Sequence, residues 1–183
     1  MSQYALFQTA IGWAGIAWGE NGLTGANLPE ADVAAAGAAC ARRFAGASEA
    51  TPPAEIAAII DGVRALLRGE TPMLLEAQLD LSRVPAFNAK VYAIARQIPP
   101  GETLTYGEVA VRLGDRLLAQ QVGQALGRNP WPIIVPCHRV TAAGGKLGGV
   151  TARGGTQTKL KLLAIEGARA AAQADLFGSR PDP

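Results

Sequence analysis

A break in composition within the stretch DLSRVPAF, residues 80–87, most constrains how this chain can fold. Before Phe87 the chain has 5 Lys and Arg against 9 Asp and Glu, whereas residues 87–169 have 11 against 4. A basic excess confined to one half favours a polyanionic partner, because cations placed near phosphates release counterions; chance variation in surface charge is the alternative. The break predicts two domains, at residues 1–81 and 87–170. A linker at 82–86 joins them, and a flexible tail at 171–183 follows.

The first half is predicted to be a small α/β domain that begins with strands. Apolar runs mark strands at Tyr4–Thr9 and Trp13–Trp18, then a turn at Glu20–Gly22 and a further strand from Leu23. Asn-Gly between two apolar runs favours a hairpin, because these residues tolerate positive φ. An Ala-rich segment then predicts a helix over about Glu30–Ala45.

Apolar spacing predicts the remaining elements of this half. Helical spacing after the proline-rich TPPAE marks one buried face, formed by Ile56, Ile59, Ile60, Val63 and Leu67. Alternation of apolar and polar residues over Leu75–Leu81 predicts a half-buried strand. On the Ala-rich helix, Val33, Cys40 and Phe44 lie near one face, and we expect Cys40 to be a small core residue.

The second half predicts short helices. Apolar spacing marks a helix over Phe87–Ile98, which the PPGE sequence ends. Thr105 and Glu108 have the spacing of a capping box at the start of a second helix, which ends near Gly114. Asp115 is placed to cap a third helix. Two short helices joined by a tight turn form a candidate helix-turn-helix.

The last of these helices is predicted to be amphipathic. Leu118, Val122, Ala125 and Leu126 are expected to face inward. The opposite face has a polar or basic residue at every fourth position: Arg116, Gln120, Gln124 and Arg128. An ordinary surface helix has the same pattern, but the basic charge of this half favours contact with nucleic acid.

The single histidine, His138, directly follows Cys137, one of two cysteines. A cysteine reacts as the thiolate, and a nearby base promotes that form; the alternative is a buried thiol beside a structural histidine. One His and two distant Cys lack metal-ligand spacing, and the run GGKLGGVTARGG fits no phosphate-binding motif, so neither metal nor cofactor is expected. The N-terminus lacks a signal sequence and no run is long enough to span a membrane, which predicts a cytoplasmic location.

Three motifs resemble the active-site domain of the O6-alkylguanine-DNA alkyltransferases: IPPGETLTYGEVA, VGQALGRNPWPIIVPCHRV and LLAIEG. The resemblance extends from about Phe87 to Gly167. It implies an α+β fold with a ribonuclease-H-like first domain and a mainly helical, helix-turn-helix active-site domain. It also implies a monomer that acts on double-stranded DNA carrying O6-alkylguanine, with O4-alkylthymine as a further candidate, and that transfers one alkyl group per molecule to a cysteine without a cofactor.

The resemblance assigns the chemistry to residues around the PCHRV motif. Cys137 is expected to accept the alkyl group, and His138, linked through a water to Glu166, to take its proton. Asn129 is expected to brace the preceding turn, and Arg139 to be structural.

The resemblance also implies how the base is held. Tyr106 would donate to guanine N3, and the carbonyls of Cys137 and Val140 would accept from the exocyclic amine. The amide of Thr151 would face the O6 side. At Val150 the family usually has an aromatic residue, so this chain departs from the pattern in the loop over the base.

The family docks its second helix in the minor groove, where the small residues Ala119 and Gly123 would allow close approach of the backbone. Gln120 stands where the family has an arginine that enters the base stack, and Arg116, one turn earlier, is a candidate substitute. An alkylated base must be flipped out of the duplex before a protein can react with it.

Three functions follow from these residues. The first is an alkyl acceptor that repairs DNA. The second is an alkyltransferase-like protein that binds lesions without transfer; such proteins lack the cysteine. The third is a helix-turn-helix regulator with an incidental thiol. Alkylation of Cys137 distinguishes the first function from the other two.

Overall fold

The computed structural model describes residues 1–147 and 155–168. The chain forms two compact units: Met1–Pro85 with Asn129–Val135, and Ala86–Arg128 with the residues from Pro136 onward. The first change of unit falls within the stretch predicted as the linker. Residues 129–135, which the sequence assigned to the second domain, belong to the first unit instead. Trp131, Ile133, Ile134 and Val135 are buried there, and Ala26 N donates to Pro130 O at 2.9 Å.

The first unit is built on a four-stranded sheet with the order β3-β2-β1-β4. β1 and β2, and β2 and β3, pair antiparallel, whereas β4 pairs parallel to β1. The predicted hairpin is confirmed: a two-residue turn joins β2 to β3, and Gly22 takes the positive φ of 118°. The strands are β1 (Gln3–Thr9), β2 (Gly12–Gly19), β3 (Gly22–Glu30) and β4 (Ser48–Glu49).

Two helices contact the sheet, α1 (Val33–Arg43) and α2 (Ala54–Leu67). α1 starts three residues later than predicted because Glu30 ends β3, and Asp32 caps the helix by accepting from Ala35 N at 2.8 Å. Val33 is consequently half exposed at its first turn, at 49%. The predicted apolar face of α2 is confirmed, because all five of its residues are buried.

The predicted strand at Leu75–Leu81 is wrong. Only Leu79 forms a bridge, to Leu23, and both Leu75 and Leu81 are exposed. The backbone around Leu79 does meet the β3 edge, since Leu23 N donates to Gln78 O at 2.8 Å. Pro130 occupies the same edge further along, so no long strand pairs there.

Cys40 is buried, as predicted, and its sulfur packs between the Asn27 side chain and Gly15 of β2. Its Sγ accepts a 3.3 Å hydrogen bond from the Asn27 side chain. A Cβ atom added to Gly15 would overlap that sulfur. Glycine on β2 is therefore what allows the thiol of α1 to fit against the sheet.

The second unit is mainly helical. Its capping box is confirmed: Thr105 Oγ1 accepts from Glu108 N at 3.1 Å, and the Glu108 carboxylate accepts from Thr105 N at 2.6 Å. Tyr92 joins two of the helices, because its hydroxyl donates to Ala125 O at 2.7 Å. The elements are α3 (Ala86–Arg96), β5 (Leu104–Thr105), α4 (Tyr106–Arg112), α5 (Ala119–Gly127), β6 (Val140–Thr141) and α6 (Gly155–Ile165).

The turn between α4 and α5 differs in detail from the prediction. Asp115 caps a single 3-10 turn, Arg116–Leu118, by accepting from Leu117 N at 2.9 Å, and α5 begins only at Ala119. On α5 the predicted inward residues Val122, Ala125 and Leu126 are buried, whereas Leu118 is half-buried. The α+β class, with a strand-and-helix half before a mainly helical half containing two packed short helices, is confirmed.

Within residues 1–147 and 155–168, no helix is long and apolar enough to cross a bilayer.

We expect Gly15→Ala to destabilise the protein by roughly 1–3 kcal/mol, the usual cost of overpacking a core. In a Cys40→Ala background, which removes the overlapping sulfur, the same change should cost far less. Denaturant unfolding of the two single variants and the double variant measures this coupling.

Gly37→Ala is the matched control, because its added Cβ would meet only Leu6 Cδ1 at 3.7 Å. Alanine in a helix interior should be neutral or stabilising there. Equal losses for Gly15→Ala with and without Cys40 would contradict the packing account.

Candidate functional site

A two-residue parallel ladder brings Tyr106 close to the Cys137 turn. Leu104 pairs with Val140 and Thr105 with Thr141, so the start of α4 and the end of the cysteine turn lie side by side. Burial raises the pKa of Tyr106, and a negative charge on Cys137 raises it further. The phenol therefore remains protonated and able to donate.

Cys137 begins a tight 3-10 turn that ends at Arg139. Arg139 N donates to Pro136 O at 2.9 Å, and Val140 N donates to Cys137 O, so the backbone is held on both sides of the thiol. Cys137 is half-buried, whereas His138 is almost fully buried. The turn thus presents a partly accessible sulfur beside an enclosed imidazole.

His138 bonds directly to Glu166, with 2.8 Å between Nε2 and Oε1. This differs from the expected link through a water, because the end of α6 brings the carboxylate into direct reach of the ring. Both side chains are at most 3% exposed. Burial lowers the pKa of His138, against the opposing hydrogen bond to Glu166, so the ring is neutral at rest. The other ring nitrogen, Nδ1, is buried and has no hydrogen-bond partner among the described residues.

Glu166 also receives both arms of a buried arginine. Arg139 Nε donates to Oε2 at 3.0 Å and Nη2 donates to Oε1 at 2.8 Å. Burial alone would raise the pKa of Glu166, but the hydrogen bonds from His138 and Arg139 lower it to about 2. The carboxylate is therefore a permanent anion at physiological pH.

Lys159 is a site residue that the sequence reasoning missed. Its Nζ donates to Val140 O at 2.6 Å and to Leu147 O at 2.7 Å, and lies 5.8 Å from the centre of the Tyr106 ring. Burial lowers its pKa to about 8, while a negative charge on Cys137 has the opposite effect. The available signal was its spacing: Lys159 lies three and four residues before Leu162 and Leu163, on the buried side of α6.

Asn129 braces the segment before the cysteine, within the first unit. Its side chain accepts from Trp131 N at 2.9 Å and donates to Val135 O at 2.8 Å. These bonds span Ile133, whose φ of 74° is strained for a β-branched residue. The Trp131 indole is also buried and donates to Leu23 O at 2.9 Å. The asparagine therefore closes a strained turn that ends two residues before Cys137.

The predicted polar face near α5 is exposed at each of its four positions, Arg116, Gln120, Gln124 and Arg128. Ala119 and Gly123 are half-buried. A Cβ on Gly123 would meet only the Tyr106 ring at 3.7 Å, so packing alone does not require glycine there. Two further predicted positions, Val150 and Thr151, lie outside the described residues.

These groups suit a displacement reaction at carbon. The second unit brings together a half-buried thiol, a buried neutral imidazole paired with an anion, and a protonated phenol. Sulfur is a soft nucleophile, the imidazole can take a proton, and the phenol can donate to a leaving group. Among the described residues, no group of three or more His, Cys, Asp or Glu could hold a metal ion.

Comparison with known proteins relates both units to one family. Residues 86–168 match the family model described as the DNA-binding domain of 6-O-methylguanine DNA methyltransferase. The methylated-DNA–protein-cysteine methyltransferase of Methanothermobacter thermautotrophicus is 33% identical over 153 residues, covering 84% of this chain and 78% of the relative. The enzyme of the same name from Mycobacterium tuberculosis H37Rv is 42% identical over 125 residues, covering 68% and 73%. A crystal structure of Mycobacterium tuberculosis OGT in complex with DNA matches with a TM-score of 0.71 and 32% identity, covering 96% and 99%.

Glu166 should make the protein sensitive to acid. Its pKa rises from about 2 in the folded chain to 4.5 when unfolded, so its stabilising contribution is complete above pH 4.5 and disappears as the pH falls towards 2. By linkage this contribution is about 3 kcal/mol. Between pH 4.5 and 2, the free energy of unfolding should fall by about 3 kcal/mol more in the unaltered protein than in Glu166→Gln.

Denaturant unfolding at several pH values provides the measurement. Glu102→Gln, at an exposed position of the same unit, is the control and should retain the acid dependence of the unaltered protein. If the unfolding free energy of Glu166→Gln and of the unaltered protein depended on pH in the same way, the neighbours of Glu166 would not be lowering its pKa.

Proposed function

This chain belongs to the methylated-DNA–protein-cysteine methyltransferase family, and we propose that it repairs DNA by direct reversal. It moves the alkyl group of O6-alkylguanine in DNA to Sγ of Cys137, once per molecule. The observation that carries this proposal is the buried His138–Glu166 pair, 2.8 Å apart, in and beside the turn that bears the cysteine. Its substrate is DNA, and we propose a cytoplasmic site of action.

The transfer is a displacement at the alkyl carbon. Cys137 loses its proton to His138, the sulfur forms a bond to the carbon, and the bond from that carbon to O6 breaks. The electron pair goes to the guanine. Sulfur is a soft nucleophile and the thioether product is stable, so the modified cysteine is not regenerated. Asn129, by closing the strained turn before Pro136, supports the backbone that leads to the nucleophile.

Tyr106 compensates the charge that develops on the guanine. Its raised pKa keeps the phenol protonated, so it can donate towards N3 of the departing base. His138 later releases the Cys137 proton to solvent, and the guanine anion takes a proton from solvent while the Tyr106 hydrogen bond stabilises its charge. Preorganised donors of this kind stabilise a transition state because they need no rearrangement during the reaction.

Two backbone carbonyls are proposed to accept from the exocyclic amine of guanine. Cys137 O already accepts from Val140 N, and Val140 O accepts from Lys159 Nζ. A carbonyl oxygen has two lone pairs, so each retains one for the base. The Thr151 amide facing O6, and Val150 beside the base, complete the proposed pocket.

The DNA surface is proposed to be the exposed face of Arg116, Gln120, Gln124 and Arg128. Its helix packs against α4 and α3, which supplies a rigid support. Ala119 and Gly123 are small, which permits close approach of the helix backbone to a groove. Contacts with phosphates position the protein without reading sequence, as a lesion finder requires.

The transfer is tested by intact mass after incubation with excess duplex containing O6-methylguanine. We expect one added methyl group per chain, mapped to Cys137 by peptide analysis, and no further turnover. Cys137→Ser should gain nothing, because its hydroxyl is a poor nucleophile for this carbon.

Cys40→Ala is the matched control, since it removes the other cysteine, and it should still gain one methyl group. Absence of a methyl group on the unaltered protein, together with preferential binding of lesion DNA, would support recognition without repair. Equal binding of lesion and normal duplex without transfer would support a regulator.

Gln120→Arg should tighten binding to lesion DNA several-fold at low salt. The added cation would lie on the exposed face of α5, and one further ionic contact steepens the dependence of log Kd on log salt by about one. Fluorescence anisotropy in a Cys137→Ser background measures this without transfer.

Ala93→Arg is the control, because it adds the same charge at an exposed position on α3. It should leave the affinity and the salt slope nearly unchanged. An equal gain from both substitutions would mean that net charge, and not the α5 face, determines the affinity.

A further inference from the structure

Arg139 and His138 both donate hydrogen bonds to the Glu166 carboxylate. Its side chain is 2% exposed, and its guanidinium makes two hydrogen bonds to Glu166 and a third, of 2.7 Å, to Ile98 O. The position of the guanidinium is therefore determined by the C-terminal side of α3 as well as by Glu166.

The two side chains meet at a single oxygen. Glu166 Oε1 accepts from His138 Nε2 and from Arg139 Nη2, both at 2.8 Å. Glu166 follows the last residue of α6, where the helix dipole disfavours an anion, so the carboxylate depends on these donors. A carboxylate that accepts two bonds from a guanidinium is a weak base. It does not take the proton from Nε2.

The protonation of the ring follows from this arrangement. With the proton held on Nε2, the lone pair is on Nδ1, the buried nitrogen without a partner among the described residues. The charged groups that act on His138 are Glu166 and Lys159 from α6 and Arg139 from its own turn. The two cations disfavour a positive ring, and the anion favours it.

We infer that Arg139 is a positioning residue that acts through Glu166. It holds His138 as the neutral Nε2–H tautomer, so that Nδ1 is the atom that accepts the Cys137 proton. This rests on the proposed function, because it assigns the direction of proton movement in that reaction. Without Arg139, the carboxylate would serve His138 alone, which raises the pKa of the ring and favours its protonated form, the form that cannot accept the Cys137 proton.

The single histidine makes this directly measurable. Protein labelled with ¹⁵N in the imidazole gives one pair of ring nitrogen signals, which identify the tautomer and its titration. We expect the unaltered protein to show Nε2–H and a neutral ring at pH 7. An Nδ1–H tautomer, or a cationic ring, would overturn the inference without any variant.

Arg139→Met should raise the pKa of His138 by at least about one unit, because a nearby like charge is removed and Oε1 is no longer shared. The low-pH limb of the methyl-transfer rate should move up by the same amount. Arg139→Lys, which retains the cation, should give a smaller shift. A purely structural arginine would lower the melting temperature in both variants without moving the titration of His138.

Unchanged titration of His138 in folded Arg139→Met, or in the equally uncharged Arg139→Gln if the methionine variant does not fold, overturns the inference. Failure of the proposed function would give a different result. Cys137 would gain no methyl group, whereas the Nε2–H tautomer and the shift of the His138 pKa in Arg139→Met would still be observed.

Discussion

The hydrogen bonds that the buried Glu166 carboxylate accepts from His138 and Arg139 are the interactions on which the Cys137–Arg139 turn depends. Burying a charge is costly unless partners surround it, and here the two residues that follow Cys137 supply three hydrogen bonds. Loss of one partner from such a pair typically costs about 3–5 kcal/mol, because the other charge stays buried. The same contact orients the imidazole and holds the turn against α6, so the stability of the second unit and the proposed chemistry of its thiol depend on one anion.

Short local elements bring the other groups to this anion. The capping box begins α4 directly after β5, and the β5–β6 ladder lies beside the cysteine turn, so Tyr106 is placed near Cys137 by two-residue strands. Lys159 then joins Val140 O to Leu147 O across the start of the following loop. Each contact is modest by itself. Together they hold the Cys137 thiol, the His138 ring and the Tyr106 phenol in one unit, which is the preorganisation that the proposed alkyl transfer requires.

Local patterns predicted the elements whose partners are near in sequence. The β2–β3 hairpin, the capping box at Thr105 and the buried face of α2 follow from turn chemistry and apolar spacing, and the structure confirms them. The pattern at Leu75–Leu81 was misleading, because alternation cannot reveal that Pro130 already occupies part of the β3 edge. The assignment of residues 129–135 to the second domain failed for the same reason: it depends on where distant backbone groups pair.

The sequence alone determined the family, the adjacent Cys137 and His138 proposed to react, the exposed polar face beside α5 and the basic character of the second half. These features consist of residue types at short, regular separations, which can be recognised without knowing the fold. Only the tertiary structure decided that Glu166 contacts the ring directly, that Arg139 shares the same oxygen, and that Lys159 is buried over two carbonyls. Those contacts join residues 12 to 28 positions apart. Burial sets their strength, because the attraction between charges is stronger where water is excluded.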